Sequence, residues 1–201
     1  LDEPFGNPTT TLNYIISQFA SKTSKVVLSG VGGDEMFGGY PKYRALQIFQ
    51  EYKNFPKSLV KKFGGVFQKI PDSMSESIVK GKIFFDAWKE NPEDQYYSLI
   101  TYFKEKEKEE LLNFSISLPS RRFIDELFLE SKKSNAESFF EKLFFVENTS
   151  YLPNNILEYT DKTSMAVSLE VREPLLDHKI AEFAANMPFD LKIKNGSMKN
   201  I

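Results

Sequence analysis

The stretch Val26-Val27-Leu28-Ser29-Gly30-Val31-Gly32-Gly33-Asp34-Glu35-Met36-Phe37-Gly38-Gly39-Tyr40 sets an apolar triplet ahead of five glycines and two adjacent acids. Val26 to Leu28 is short, continuous and β-branched at two positions, which predicts a strand of a parallel sheet buried on both faces. The loop then leaves the carboxyl end of that strand. That edge is where ligands bind in open α/β sheets, and glycines let backbone N–H groups approach phosphate oxygens with no Cβ in the way. A Walker-type loop carries Lys after its glycines, whereas Asp34 and Glu35 stand here, and carboxylates repel bare phosphate. A divalent cation resolves the conflict, because Mg2+ takes oxygen ligands and is commonly held by one or two carboxylates together with substrate phosphates. The spacing therefore assigns Asp34 to the metal and Ser29 and Gly30 to a nucleotide, with Gly32 and Gly33 in the same phosphate-facing loop. The same residues also read as a plain glycine-rich turn whose acids begin a helix and favour its N-terminal dipole, and the pattern leaves both readings open.

Upstream, threonines at 9 to 11 precede Leu12, Ile15, Ile16 and Phe19 at helical spacing, which predicts a helix over 9–20 packed on the sheet. Lys22 to Lys25 forms the turn into the strand. Beyond Asp34 the pattern is helical. Tyr43, Leu46 and Phe49 continue one face up to Asn54-Phe55-Pro56, and Pro56 suits the start of a helix carrying Leu59, Val60, Phe63 and Phe67. Further helices over 73–151 break at Asn91-Pro92 and Leu118-Pro119. Lys104 to Glu110 alternates in sign and reads as a solvated face, and Phe139, Phe140, Phe144 and Phe145 read as core. Ile156, Leu157, Met165 and Leu169 predict a helix facing the core, with Glu170-Val171-Arg172 at its end. Charges so nearly buried must be paired, so Glu170 and Arg172 are expected to have partners, in a structural network that can also shape a substrate pocket. Pro174 to Asp177 turns the chain into a helix carrying Ile180, Phe183, Ala184 and Met187. His178, the single histidine, reads as a surface or capping residue, since one imidazole supplies neither a triad nor a zinc site.

With 201 residues and 19 Phe the chain is long enough for one sizeable core. Its longest apolar runs fall far short of the ~20 residues of a spanning helix, so no membrane association is expected and a cytoplasmic location is. Zero Cys excludes disulfides, thiolate metal sites and a Cys nucleophile within these residues. The net charge of −2 with mixed signs gives no field for nucleic acid.

The loop resembles the S-G-x-G-(G/A)-D-E-x-F-G-G-Y signature of the asparagine synthetase family, ATP-dependent amide-forming enzymes with an adenine nucleotide alpha hydrolase-like fold (PP-loop ATP pyrophosphatases). A second block, Asp161-Lys162-Thr163-Ser164-Met165-Ala166-Val167-Ser168-Leu169-Glu170-Val171-Arg172-Glu173-Pro174-Leu175-Leu176-Asp177, is similar to the family's D-x-x-S-M-A-x-S-L-E-x-R-x-P-x-L-D, and Asp2-Glu3-Pro4 matches its D-E-P. The resemblance implies an α/β, predominantly helical part of that domain with a parallel sheet. It covers 1–201 as a single incomplete synthetase domain, with 1–50 near the sheet and nucleotide site and 51–201 mainly helical. The family's upstream S-G-G-x-D-S phosphate loop does not occur in these residues, nor does a Lys in an R-x-K-x-x-F segment beyond the second block. The chain starts at Leu1, and Ser197 reads as the N-cap of a helix cut off after one turn. These features together predict a truncated, inactive piece of a longer enzyme.

What the resemblance implies chemically is attack of the aspartate carboxylate on the α-phosphorus of ATP, release of pyrophosphate from a β-aspartyl adenylate, and displacement of AMP by ammonia. Ser29 and Gly30 would contact the nucleotide, and Asp34 would serve Mg2+ and pyrophosphate. Ammonia would come from an upstream glutaminase domain, and the enzyme can be a homodimer. One departure stands out: well-characterised members carry Glu in the slot of Val31, near the reacting intermediate, and valine accepts no proton. Glu35 and Glu158 are candidate substitutes. The departure also points to a relative that adenylates another carboxylate, as β-lactam synthetases do, while a non-catalytic binding module is the remaining alternative.

Overall fold

Helix α1 (Thr9–Ala20) and strand β1 (Val26–Leu28) form where the periodicity places them. The computed structural model describes residues 5–89, 91–114, 119–194 and 197–200, without the side chains of residues 72 and 197. The Asp2-Glu3-Pro4 match and Leu118 of the predicted break lie outside the described residues.

Two compact units divide the chain, one joining Leu1–Tyr40 to Ala136–Ile201 and the other comprising Pro41–Asn135. The first is discontinuous because β1 pairs in parallel with β2 (Glu170–Arg172), in the register Val26 to Glu170, Val27 to Val171 and Leu28 to Arg172. Parallel neighbours need a long crossover, and this one contains every residue of the second unit. After β1 the chain enters α2 (Gly33–Phe37) through Gly32 at φ +89° and leaves it through Gly38 at φ +71°.

The second unit is helical: α3 (Pro41–Glu51), α4 (Lys57–Gln68), α5 (Glu76–Ala87), α6 (Pro92–Ile100), α7 (Glu105–Leu112) and α8 (Ser120–Ser131). The predicted punctuation holds at two places. Pro56 stands directly before α4, and Asn91 caps α6 by accepting from the Glu93 N–H, with Pro92 at the first position. Phe49 packs between Phe84 and Trp88, with ring centroids 4.8 and 5.3 Å away. The charge run lies on α7, where Lys106 and Glu110 form an exposed pair.

Returning to the first unit, α9 (Phe139–Val146) begins at a capping box built by Ser138 and Glu141. It runs into a π-helix (Glu147–Leu157) that contains Pro153, and then into α10 (Glu158–Met165). After β2 come α11 (His178–Ala185), α12 (Phe189–Lys192) and a short antiparallel pair, β3 (Ile193–Lys194) with β4 (Ser197–Met198). Of the predicted phenylalanine core group Phe144 is buried, while Phe139, Phe140 and Phe145 are half-buried, Phe140 stacking on Phe189 at 3.7 Å.

Several expectations are corrected. Ser197 starts a strand paired with Lys194 and Ile193, not a helix, because the chain reverses at that point. Glu170-Val171-Arg172 is a strand, which the sequence reading did not foresee. Its Glu170–Arg172 pair exists at 2.7 Å but is more than half exposed, so it contributes little. Val26 and Leu28 are 42 and 73 % exposed: among the described residues only β2 pairs with β1, and the strand is not covered on both faces. Helix α1 does not pack through its apolar stripe. It packs on α10 and its less exposed positions are Thr10, Asn13, Ser17 and Ala20, small or polar side chains, with the Asn13 amide donating to Thr163 Oγ1 at 2.6 Å. Met165, expected to face the core, is exposed as well.

Candidate functional site

The loop after β1 is wired to β2. The Ser29 N–H donates to the Arg172 carbonyl at 2.8 Å, and the Ser29 hydroxyl accepts from the Val31 N–H at 3.1 Å. Gly33 N–H to Gly30 carbonyl and Met36 N–H to Gly32 carbonyl then close the turn into α2. This geometry sorts the four residues expected to touch a nucleotide. Gly30 is exposed and Ser29 half-buried, both reachable at the carboxyl end of β1. Gly32 and Gly33 are buried beneath Leu176 and Leu175, where a Cβ at Gly32 would overlap the Leu176 side chain.

The adjacent acids diverge because neighbours on a helix point about 100° apart. Asp34 is half-buried and its Oδ1 lies 2.7 Å from Lys199 Nζ, the carboxylate and the lysine stem filling the space that a Cβ on Gly39 would need. Lys199 adopts φ +50°, a left-handed conformation uncommon outside glycine. Glu35 turns inward, is 1 % exposed, and accepts a short hydrogen bond from the Tyr40 hydroxyl. Burial first, and then that bond, push the Tyr40 phenol far above its ordinary value. Burial and the Glu35 charge raise Tyr159 likewise. Tyr151, on the π-helix, meets Tyr40 edge-on at 5.9 Å. The wide π turns thus help enclose a carboxylate in aromatic rings.

Val31 packs against Met36, Leu152, Ile156, Tyr159 and Ala184, an apolar cluster. Glu158 lies on α10, 3.4 Å from Lys162 and partly exposed. His178 is exposed and 3.9 Å from Asp177, which caps α11 by accepting from the Lys179 N–H.

The donor set does not by itself make a metal site. Among the described residues no three His, Cys, Asp or Glu side chains gather, and Asp34 offers one carboxylate already neutralised by Lys199.

Two lysines here escaped the sequence reading. Lys199 was masked by its position beyond the matched blocks, although its sequence neighbourhood, Met198-Lys199, carried no other role. Lys192 gave no signal at all. It is 3 % exposed, its Nζ lies 4.0 Å from the Phe144 ring centroid, and burial lowers it from 10.5 to about 8. Below about pH 8 both folded and unfolded chains hold this proton and the folded state bears the full cost of burying the charge. Between about 8 and 10.5 the unfolded chain alone holds it, so stability rises with pH across that window. Lys192→Met keeps the stem and removes the charge. After loss of the ring attraction we expect a gain of about 1 to 2 kcal/mol at pH 7 and a flattened rise above pH 8, read by urea titration across pH.

The asparagine synthase family model matches residues 1–201. The chain is 32% identical over 199 residues to asparagine synthetase [glutamine-hydrolyzing] 1 of Bacillus subtilis (strain 168), covering 98% of this chain and 30% of that protein. It is 30% identical over 200 residues to a putative asparagine synthetase [glutamine-hydrolyzing] of Mycobacterium bovis, covering 99% of this chain and 29% of the relative. A 39-residue segment is 56% identical to putative asparagine synthetase [glutamine-hydrolyzing] 2 of Methanocaldococcus jannaschii, 19% of this chain and 8% of that one. The chain therefore spans about 30% of the length of the curated relatives it matches across its whole extent. No solved structure matches it.

Proposed function

This chain belongs to the asparagine synthase family, and from that premise we propose that it carries part of an ATP-dependent site that makes asparagine from aspartate and glutamine-derived ammonia. The observation that carries the reading is the open loop at the carboxyl end of β1, with Gly30 exposed and the Asp34–Lys199 pair set over Gly39. The sheet is read as part of an adenine nucleotide alpha hydrolase-like domain.

In this reading the aspartate side-chain carboxylate attacks the α-phosphorus and pyrophosphate leaves with the electron pair of the broken P–O bond. Ammonia then attacks the acyl carbon of the β-aspartyl adenylate, AMP departs, and the nitrogen loses a proton. The chain's own residues supply placement and charge. Ser29 and Gly30 present the strand end to the nucleotide. The Lys199 ammonium, held at the loop by Asp34, is the cation that a leaving pyrophosphate meets, and fixed charge of this kind acts most strongly where charge develops. Glu35 is enclosed and bonded to Tyr40, which suits it to holding the loop more than to exchanging protons with substrate.

A second reading has its own support. Val31 faces an apolar cluster and offers no acid beside the reacting centre, which favours a different carboxylic acid as the group adenylated. Both readings meet in one assay, ATP–pyrophosphate exchange by the full-length protein with aspartate and with a panel of other carboxylic acids. We expect aspartate-dependent exchange that falls at least about tenfold in Asp34→Ala. Exchange with another acid alone transfers the mechanism to that substrate. A folded protein with no exchange on any acid leaves the adenylation reading without support.

A further inference from the structure

We propose that Glu173 is the carboxylate that takes the proton from the attacking nitrogen when the acyl adenylate becomes the amide. The inference rests on the reading above and deepens it, giving the surplus proton a named destination.

The chemistry needs an acceptor. As ammonia adds to the acyl carbon a C–N bond forms, the C–O bond to AMP breaks with its electron pair leaving on the phosphate, and the nitrogen is left with one proton too many. A positioned carboxylate that receives it contributes roughly a hundred- to ten-thousandfold in rate. The glycine loop supplies none. Val31 is apolar, Asp34 is bound to Lys199, and Glu35 is enclosed and bonded to Tyr40. Glu158 is engaged with Lys162 on its own helix.

Glu173 stands where such a group is needed. The ladder that pairs Leu28 with Arg172 is carried one step further by the Ser29 N–H, which donates to the Arg172 carbonyl, so Glu173 lies beside Ser29 at the carboxyl end of the sheet. Partners across a parallel ladder turn their side chains to one face, and successive residues alternate. Burial follows that rule. Val27, Ser29, Val171 and Glu173 are half-buried, whereas Val26, Leu28, Glu170 and Arg172 are exposed. Glu173 therefore shares the face of the serine that is read as meeting the nucleotide. It also opens the turn Pro174–Leu176, whose Leu176 N–H returns to the Glu173 carbonyl at 3.0 Å. That turn seats Leu175 on Gly33 and Leu176 on Gly32, so the backbone bearing the carboxylate is tied to the loop on both sides.

Its surroundings suit proton exchange. Among the described residues no cation pairs with the Glu173 carboxylate. Burial first, and the Asp161 charge on α10, hold it above the usual carboxylate range, against the opposing pull of its own backbone N–H. A half-buried, unpaired carboxylate less acidic than usual accepts a proton readily and returns it to solvent. Asp161 itself is exposed and lies on the helix, outside the ladder.

The test uses two assays on the full-length protein. ATP–pyrophosphate exchange reads adenylation, and amide formation from ammonium chloride, with the acid that exchange selects, reads the second step without the glutaminase. Glu173→Gln keeps the shape and removes the basicity. We expect its exchange to stay within about twofold of wild type and its amide formation to fall on the order of a hundredfold. Glu173→Asp keeps a carboxylate on a shorter stem and should recover about tenfold of that loss. Amide formation by Glu173→Gln within about threefold of wild type would overturn the inference and leave adenylation standing. Loss of exchange in step with amide formation would overturn it too, by making Glu173 a support of the nucleotide loop. A wild type without exchange on any acid fails at the reading itself and takes the inference with it.

Discussion

Gly32→Ala is expected to destabilise the full-length protein by about 2 to 6 kcal/mol, and to abolish any activity that depends on the loop. Two separate costs add at this position. The backbone stands at φ +89°, which an L-residue with a Cβ adopts only under strain, on the order of 1 to 3 kcal/mol. The new methyl would also fall inside the Leu176 side chain, so the Pro174–Leu176 turn has to move, and overpacking of that sort costs about 1 to 3 kcal/mol more. The displacement matters beyond energy, because the same turn bears on Gly33 through Leu175 and thereby on the first turn of α2, which carries Asp34 and Glu35. Denaturant titration reads the stability. Gly30→Ala is the internal comparison, since nothing lies within 4 Å of a Cβ there and its φ is ordinary. If both substitutions cost the same, the close packing against Leu176 is not what requires glycine.

This pair of glycines also marks what was legible beforehand. The motif identified the loop, its strand and its place at the carboxyl end, since those depend on local chemistry: an apolar triplet, residues able to take positive φ, and acids at a helix start. It did not separate glycines that face solvent from glycines buried under a leucine, because Leu175 and Leu176 arrive from more than 140 residues away. The α1 bounds were equally legible, and its facing was not. Periodicity reports which residues share a stripe, and the reading supplied the assumption that the apolar stripe faces this chain. Strand β2 escaped for a related reason, as Glu170-Val171-Arg172 has one apolar residue in three and becomes a strand only through pairing with β1. The discontinuous first unit belongs to the same class of information. A parallel partner across a long crossover leaves no trace in local composition.

The adjacent acids show how far local reading carries a site. Both were expected to act at the loop, yet one helical step sends Asp34 to Lys199 and Glu35 into a ring of tyrosines. Which of them stays at the open loop and which is enclosed is settled by a lysine at the far end of the sequence and by a π-helix whose register no sequence period announces.

Tyr40→Phe is the sharpest probe of that inward arrangement. Glu35 is 1 % exposed, and the phenol is a hydrogen-bond donor to its carboxylate. Removing the hydroxyl strips that donor from a buried charge, which costs about 2 to 4 kcal/mol, whereas Glu35→Gln retains an acceptor for Tyr40 and should cost under about 1.5 kcal/mol. Combining the two should cost less than the sum, the coupling expected of direct partners. The pH dependence carries a sign as well. The Tyr40 proton is held in the folded protein above pH 10, where the unfolded chain gives it up, so this contribution is fully present below about pH 10 and is lost as pH rises beyond it. Wild type should therefore lose stability more steeply than Tyr40→Phe above pH 10, and the two curves should converge there. Parallel curves, or a Tyr40→Phe cost within about 0.5 kcal/mol of zero, would mean that the carboxylate is satisfied without the phenol.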